Sequence, residues 1–404
     1  MTTNPDPSAT SDDREHLDDW RAIGYLVDVA TERLTSPVEG IHRAVVRRWF
    51  GLAGPGLDPA RRVTEGLTGS IYQSIRLSGT AVGMAISSGA ELVDRFRRLP
   101  PVWETRGGRR VQSIFNGLWG DRFEEDRSPL RIEMGFRAPN GIPYSSTAVS
   151  LGHTFPGATG RLVVLVHGFA DTENGWRSGD GFDLIDGLES DGFSVLRLRY
   201  NTGREIADNA ATLADLIEEV CLGWPVPVSE IALVGHSMGG LVARSAIIAA
   251  GSAGAKWVRL ATHVVAIAAP HFGTPIEQGV RYVSNGLGLF KESQPLGAFL
   301  EQRSAGIKSL RHRIGSTDDD STGFGYHVVA GVITREPDHP LGRVFGDLVV
   351  GVGSATGRGH LIETESPDIL VVGGRNHADL VHAPEVVAQV RTWLSRSNPA
   401  PEAK

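Results

Sequence analysis

The sequence has little that would direct the chain to nucleic acid, to a disulfide framework or through a membrane. Cys221 is the only cysteine among 404 residues, so no intramolecular disulfide can form. The formal net charge of −7 provides no basic surface for nucleic acid. The Cys and His positions lack the spacing of a metal site, and we expect neither a metal nor another cofactor. No run reaches the ~18 apolar residues that span a bilayer, and the N-terminus lacks the order of a signal peptide, so we expect a cytoplasmic protein.

Composition divides the chain into tails, a helical extension and a main domain. Residues 1–19 are polar and predict a disordered tail, and 397–404 form a second tail. Apolar residues then recur at helical spacing, and we assign 20–127 to a helical N-terminal extension. Within it, the small residues of 77–90 permit close helix packing, on the main domain or in a homodimer, or else peripheral contact with a membrane.

The main domain, 128–396, alternates short apolar runs with helical segments. It opens on "RIEMGF", "APNG" and "PYSSTAVS", a pattern that predicts a β-hairpin. The alternation predicts an α/β fold with a mainly parallel sheet covered by helices on both faces. We interpret 275–322, which has no strand pattern, as a lid or cap insertion, with a plain connection as the alternative. The predicted strands are 161–166, 194–200, 230–235, 263–269 and 326–331.

One glycine-rich turn carries the strongest chemical signal. "EIALVGHSMGG" places Ser237 after a buried strand and before a helix pattern, with Gly235 and Gly239 on either side. A nucleophile elbow needs a strand, a turn too tight for large side chains, and a helix whose N-terminus points at the reacting carbon. All three parts are present, so we predict Ser237 to be a nucleophile.

A second glycine-containing loop supplies the predicted oxyanion hole. "VVLVHGF" puts His167, Gly168 and Phe169 directly after a buried strand. The backbone amides of Phe169 and Met238 are therefore candidates for the two donors that bind the oxyanion. We interpret His167 as structural.

A serine nucleophile also needs a base and a carboxylate that orients it. Where a triad runs in the order Ser, acid, His, the base lies near the C-terminus. We favour His377, on the loop before the helix begun by Pro384, over His382. We favour Asp347 as the acid because the apolar residues of "GDLVVGVGSA" imply a buried carboxylate. The alternatives are Glu336, Asp338, Glu363, Glu365 and Asp368.

These motifs together resemble the lipase-like branch of the α/β-hydrolase superfamily. "HGF", "GHSMGG", "AAPHFGTP" and "GDLVVGVGSA" ahead of "NHADLVHAPEV" are similar to bacterial triacylglycerol lipases, GPI inositol-deacylase-like proteins and the lecithin-cholesterol acyltransferase group. The resemblance covers about 128–396 and implies an α/β-hydrolase fold with Asp347 as triad acid. It also implies that His271 and Phe272 border the acyl pocket.

The sequence therefore predicts a metal-independent serine hydrolase, an esterase or lipase that acts on a small-molecule or lipid ester. A Ser-His-Asp triad would form an acyl-enzyme that water resolves. Two alternatives stay open. One is an acyltransferase that uses the same triad, and the other is a non-catalytic interaction scaffold with this fold.

Overall fold

The computed structural model describes most of the predicted main domain and one helix before it. The described residues are 106–128, 130–177, 183–271, 304–309, 323–332, 334–336, 347, 368–375 and 377–396. From residue 110 onward they belong to one unit, made of 110–278 and 304–404. Both predicted tails, most of the N-terminal extension and most of 275–322 lie outside the described residues.

A seven-stranded sheet is the centre of the domain. Its strand order is β1-β3-β2-β4-β5-β6-β7, and every neighbouring pair is parallel except β1 with β3. The predicted mainly parallel sheet is confirmed. The strands are β1 Gly135–Arg137, β2 Arg161–Val166, β3 Ser194–Arg199, β4 Glu230–His236, β5 Ala261–Ile267, β6 Gly325–Val332 and β7 Asp368–Gly373.

Helices connect these strands as the alternating pattern predicts. The α-helices are α1 Arg106–Glu125, α2 Ala148–Thr154, α3 Leu184–Ser190, α4 Ile206–Gly223, α5 Met238–Ala253, α6 Ala305–Ser309 and α7 Pro384–Leu394. Two 3-10 helices span Lys256–Leu260 and Asp379–His382. Among the described residues, no helix is both long and apolar enough to cross a bilayer.

The sheet separates two hydrophobic cores. Alternate residues of β2 face opposite sides, so Leu162 and Val164 pack with α4 and α5, whereas Val163 and Leu165 pack with α3 and α7. The central strands are buried almost throughout because helices cover both faces. Parallel strands have their C-terminal ends on the same side of the sheet. The loops after β2, β4 and β5 meet there.

Helix α1 is tied to this sheet by a buried polar cluster. Arg199 of β3 donates to Glu173 at 3.1 Å and to Gln112 of α1 at 2.8 Å. The side chains of Arg199 and Glu173 are 3% and 0% exposed, so each charge is neutralised away from water. Asn116 of α1 donates to the carbonyl oxygen of Leu130 at 2.7 Å.

The sheet differs from the prediction in two details. The second strand of the predicted hairpin is reduced to one bridge between Arg137 and Pro143, and the chain then enters α2. The reason is local, because the side chain of Thr147 accepts from the amide of Ser150 and caps this helix. The sequence reading also missed β7, Asp368–Gly373, which pairs in parallel with β6.

Candidate active site

Ser237 stands at the turn between β4 and α5 in a backbone conformation that side chains rarely adopt. Its φ is 53° and its ψ is −123°, outside the regions favoured by residues with a Cβ atom. Its amide donates to the carbonyl oxygen of Ile267 at 2.8 Å, which anchors the turn to the end of β5. The turn is therefore as sharp as a nucleophile elbow requires.

Two glycines permit this turn because the backbone leaves no room for a side chain. A Cβ atom at Gly235 would lie 2.3 Å from the carbonyl oxygen of Gly239. A Cβ atom at Gly239 would lie 2.1 Å from the carbonyl oxygen of Val166 in the neighbouring strand. The G-x-S-x-G spacing thus reflects a close approach of α5 to β2 and β4.

The first turn of α5 begins at Met238, directly after the serine. Amide groups in the first turn of a helix have no acceptor within the helix, and the helix dipole makes this end partly positive. The amide of Met238 is the first of them. This end of α5 consequently favours negative charge beside Ser237.

The loop after β2 lies against the elbow. A Cβ atom at Gly168 would be 3.0 Å from Nδ1 of His236 and 3.3 Å from Cβ of Ser237. The next residue, Phe169, packs its ring against Gly117 of α1. The loop therefore carries the amide of Phe169 to the neighbourhood of the serine.

His167 holds the shape of this loop. Its ring is 1% exposed, and Nδ1 donates to the carbonyl oxygen of Gly168 at 2.9 Å. Burial lowers the pKa of His167, so the ring is neutral at neutral pH. The hydroxyl of Tyr200 donates to the carbonyl oxygen of His167 at 2.9 Å. These contacts fit the structural role that the sequence suggested for His167.

Asp347 and His377 form a close pair beyond the ends of β6 and β7. Nδ1 of His377 donates to Oδ2 of Asp347 at 2.7 Å. The carboxylate side chain is 1% exposed and the imidazole 16% exposed. Because the carboxylate accepts the Nδ1 proton, the Nε2 lone pair of His377 is available as a base.

The same histidine is held at its backbone. Nε2 of His236, the residue before Ser237, donates to the carbonyl oxygen of His377 at 3.1 Å. The centroids of the two imidazole rings lie 4.9 Å apart. The loop that carries His377 therefore lies against the end of β4, directly before Ser237.

The other predicted candidates lie elsewhere or outside the described residues. His382 ends the 3-10 helix that follows His377. Asp368 begins β7 and pairs with Arg396 at 2.6 Å, and Glu336 is exposed. Asp338, Glu363 and Glu365 lie outside the described residues. Within the described part of the chain, no group of three His, Cys, Asp or Glu side chains is placed to hold a metal ion.

His271, predicted to border the acyl pocket, lies in the segment after β5 and is buried. It is 2% exposed, and Nε2 forms a hydrogen bond with the hydroxyl of Tyr326 at 3.1 Å. Burial, with a smaller contribution from Arg244, lowers the pKa of His271 to about 3. Its predicted companion Phe272 lies outside the described residues.

Sequence reasoning missed the contact of His236. The available signal was a polar ring at the end of "EIALVGH", a strand that is otherwise apolar after its first residue. A polar side chain there needs a hydrogen-bond partner because the strand end is buried.

A family model described as "PGAP1-like alpha/beta domain" matches residues 197–293, from the end of β3 past the elbow. The domain has an α/β-hydrolase fold. The match and the sheet confirm the predicted resemblance to the lipase-like α/β-hydrolase superfamily. A comparison with curated protein sequences finds no match.

Several solved structures are similar to this α/β-hydrolase domain at low sequence identity. The mature lipase BlEst2 of Bacillus licheniformis is 18% identical, covers 58% of this chain and 92% of its own, and has a TM-score of 0.42. The esterase PF2001 of Pyrococcus furiosus is 15% identical, with 65% and 90% covered and a TM-score of 0.39. The RedJ thioesterase of the prodiginine biosynthetic pathway in Streptomyces coelicolor is 18% identical, with 59% and 92% covered and a TM-score of 0.37.

Proposed function

We propose that this protein is a serine hydrolase that cleaves carboxylic esters through an acyl-enzyme. The observation that carries the proposal is the hydrogen bond of 2.7 Å from Nδ1 of His377 to Oδ2 of Asp347. The main chain of His377 also contacts His236, the residue before the strained Ser237. A scaffold has no physical need for a serine in this conformation beside an oriented imidazole.

In the proposed reaction Ser237 attacks the carbonyl carbon while Nε2 of His377 takes the hydroxyl proton. The tetrahedral oxyanion accepts hydrogen bonds from the amides of Phe169 and Met238. The C–O bond to the alcohol then breaks, and His377 gives its proton to the leaving oxygen. Water, deprotonated by the same histidine, attacks the acyl carbon and releases the acid and Ser237.

Asp347 orients the base and stabilises the imidazolium that forms. Its buried carboxylate accepts the Nδ1 proton at 2.7 Å, which keeps the proton off Nε2 and leaves that lone pair to act as the base. The carboxylate is buried, so it acts in a lower dielectric than water.

The family resemblance suggests the substrate class, and the similar structures are those of a lipase, an esterase and a thioesterase. We therefore propose a carboxylic ester with an acyl chain, supplied as a small molecule or a lipid. Acyl transfer to an alcohol uses the same first half-reaction, and the second step alone separates the two activities.

The proposal is tested with p-nitrophenyl esters from acetyl to palmitoyl and with a fluorophosphonate probe that labels activated serines. We expect hydrolysis that peaks at one chain length and labelling of the wild type. Ser237→Ala should abolish labelling and lower turnover by at least about 10³-fold because the nucleophile is lost.

The matched control is Ser245→Ala, which removes a serine from the same helix two turns further on. It should keep both activity and labelling. A wild type that neither hydrolyses any ester nor reacts with the probe would favour the scaffold. Methyl ester formed in added methanol, in preference to free acid, would favour the acyltransferase.

A further inference from the structure

His236, the residue directly before the candidate nucleophile, contacts the loop of the candidate base. It ends β4, a strand that is buried from Ile231 onward, and it is 8% exposed itself. Nε2 reaches the carbonyl oxygen of His377 across 141 residues of sequence. This bond joins the strand of Ser237 directly to the loop of His377.

The hydrogen bond from His236 to the carbonyl oxygen of His377 defines the tautomer of His236. A carbonyl oxygen can only accept, so Nε2 must carry the proton. Nδ1 is then without a proton in the neutral ring, and it faces Gly168, where a Cβ atom would approach it to 3.0 Å. The Nε2 proton of this tautomer is the one that His236 gives to the bond with His377.

Two hydrogen bonds hold His377 from opposite ends of the residue. Asp347 accepts from the side chain at 2.7 Å, and His236 donates to the main chain at 3.1 Å. The bond to the carboxylate orients the ring, and the bond from His236 holds the main chain of the same residue. Both bonds together place His377 relative to β4, the strand that ends at His236 directly before Ser237.

We propose that His236 is a positioning residue, which holds the base-bearing loop in register with the nucleophile elbow. The inference rests on the proposed function. It assigns a use to the residue between Gly235 and Ser237, which otherwise takes no part in the reaction.

The charge state of His236 suits this role. Burial, with the nearby His377 as the second cause, lowers the pKa of His236 to about 3. At neutral pH the ring is uncharged, so it does not repel the imidazolium that forms 4.9 Å away at His377. A permanent cation at this position would oppose the proton transfer.

The test compares three substitutions at this position. His236→Phe keeps a ring of similar size but has no donor, His236→Gln keeps an N–H at nearly the place of Nε2, and His236→Asn holds its N–H too far back. We expect His236→Phe and His236→Asn to lower kcat by about 10–100-fold with KM within about twofold, because a misplaced base affects the chemical step. His236→Gln should recover most of the turnover.

The matched control is His263→Phe near the start of β5, at the opposite end of the parallel strands from the candidate site. Nε2 of His263 forms the same kind of bond at the same distance, 3.1 Å, with the carbonyl oxygen of Arg396. His263→Phe also removes the bond of Nδ1 to His327 at 3.0 Å, so it should lower the melting temperature at least as much as His236→Phe but leave kcat unchanged. A loss of kcat in His236→Phe no larger than in His263→Phe would overturn the inference.

The Gln and Asn variants keep the test decisive if His236→Phe does not fold, since equal turnover of these two also contradicts the inference. Failure of the proposed function is recognised separately, because the wild type would then show no ester hydrolysis and no fluorophosphonate labelling.

Discussion

Ser237 and Asp347 illustrate how single residues depend on their surroundings in this α/β-hydrolase domain. The conformation of Ser237, with φ 53°, costs on the order of 1–3 kcal/mol and persists only because neighbours enforce it. Asp347 is buried to 1% exposure, which an isolated carboxylate does not tolerate. Its partner is the imidazole of His377, and each residue therefore explains the placement of the other.

Substitution of Asp347 by Asn tests the acid at the residue scale. An amide can donate toward Nδ1 of His377 and so favours the tautomer whose lone pair is on the wrong nitrogen. We expect kcat to fall by about 10²–10⁴-fold in steady-state ester hydrolysis, with the fold retained.

The chain offers a second Asp–His pair as a control for this substitution. Oδ2 of Asp368, at the start of β7, lies 3.3 Å from Nδ1 of His327, near the start of β6. This pair is therefore at the opposite end of the strands from the candidate site. Asp368→Asn should leave kcat within about twofold of the wild type. Equal losses in the two variants, or a loss below about tenfold in Asp347→Asn, would point to another carboxylate as the acid.

At the scale of elements, the site depends on how closely α5 approaches β2. The approach is closest at Gly239, where a Cβ atom would meet the carbonyl oxygens of Val166 and His167 at 2.1 and 2.5 Å. The first is a backbone atom of the last residue of β2 and the second belongs to the residue directly after it, so neither can move aside cheaply. The elbow and the loop of Phe169 are thus one packed unit.

Gly239→Ala should therefore destabilise the domain although alanine is the better helix former. We expect the free energy of unfolding to fall by about 1–3 kcal/mol through overpacking, together with lower activity. Urea denaturation followed by circular dichroism measures the change.

Gly152→Ala is the matched control for this helix substitution. Gly152 is also helical, in α2, and a Cβ atom there would meet nothing within 4 Å. It should be neutral or stabilise the domain by about 0.5–1 kcal/mol. If Gly239→Ala were as stable as Gly152→Ala, the close approach of α5 to β2 would be wrong.

At the scale of the whole molecule, buried histidines link folding to pH. The pKa values of His236 and His271 are both lowered to about 3, chiefly by burial, from an ordinary value of 6.5. Below pH 6.5 the unfolded chain binds protons that the folded chain does not, so acid favours unfolding. The stabilisation is complete above pH 6.5 and is lost as pH falls toward 3.

We expect the free energy of unfolding to decrease between pH 6.5 and 4.5, with up to about 1.4 kcal/mol per pH unit from each of these histidines. Urea denaturation at several pH values measures the slope. His271→Phe should flatten it because the buried ring is removed. A slope that His271→Phe leaves unchanged would contradict the assigned burial.

The sequence alone determined the α/β class, most strands and the glycine-flanked serine turn. Each of these depends on neighbours along the chain: apolar runs that make buried strands, periodic apolar faces that make helices, and glycines where a turn is tight. Where two local signals competed, as at 143–150, the helix cap of Thr147 prevailed over the strand pattern. β7 was missed because "DILVVG" is short and lies among residues with no periodic pattern.

Only the tertiary structure decided which side chains meet. Asp347 and His377 are 30 residues apart, and His236 and His377 are 141 apart. Motifs ranked Asp347 and His377 as candidates and gave His236 no role, and no spacing in the chain encodes a distance of 2.7 or 3.1 Å. Such distances arise when a parallel sheet brings the ends of separate strands to one edge and buried polar groups there must find partners.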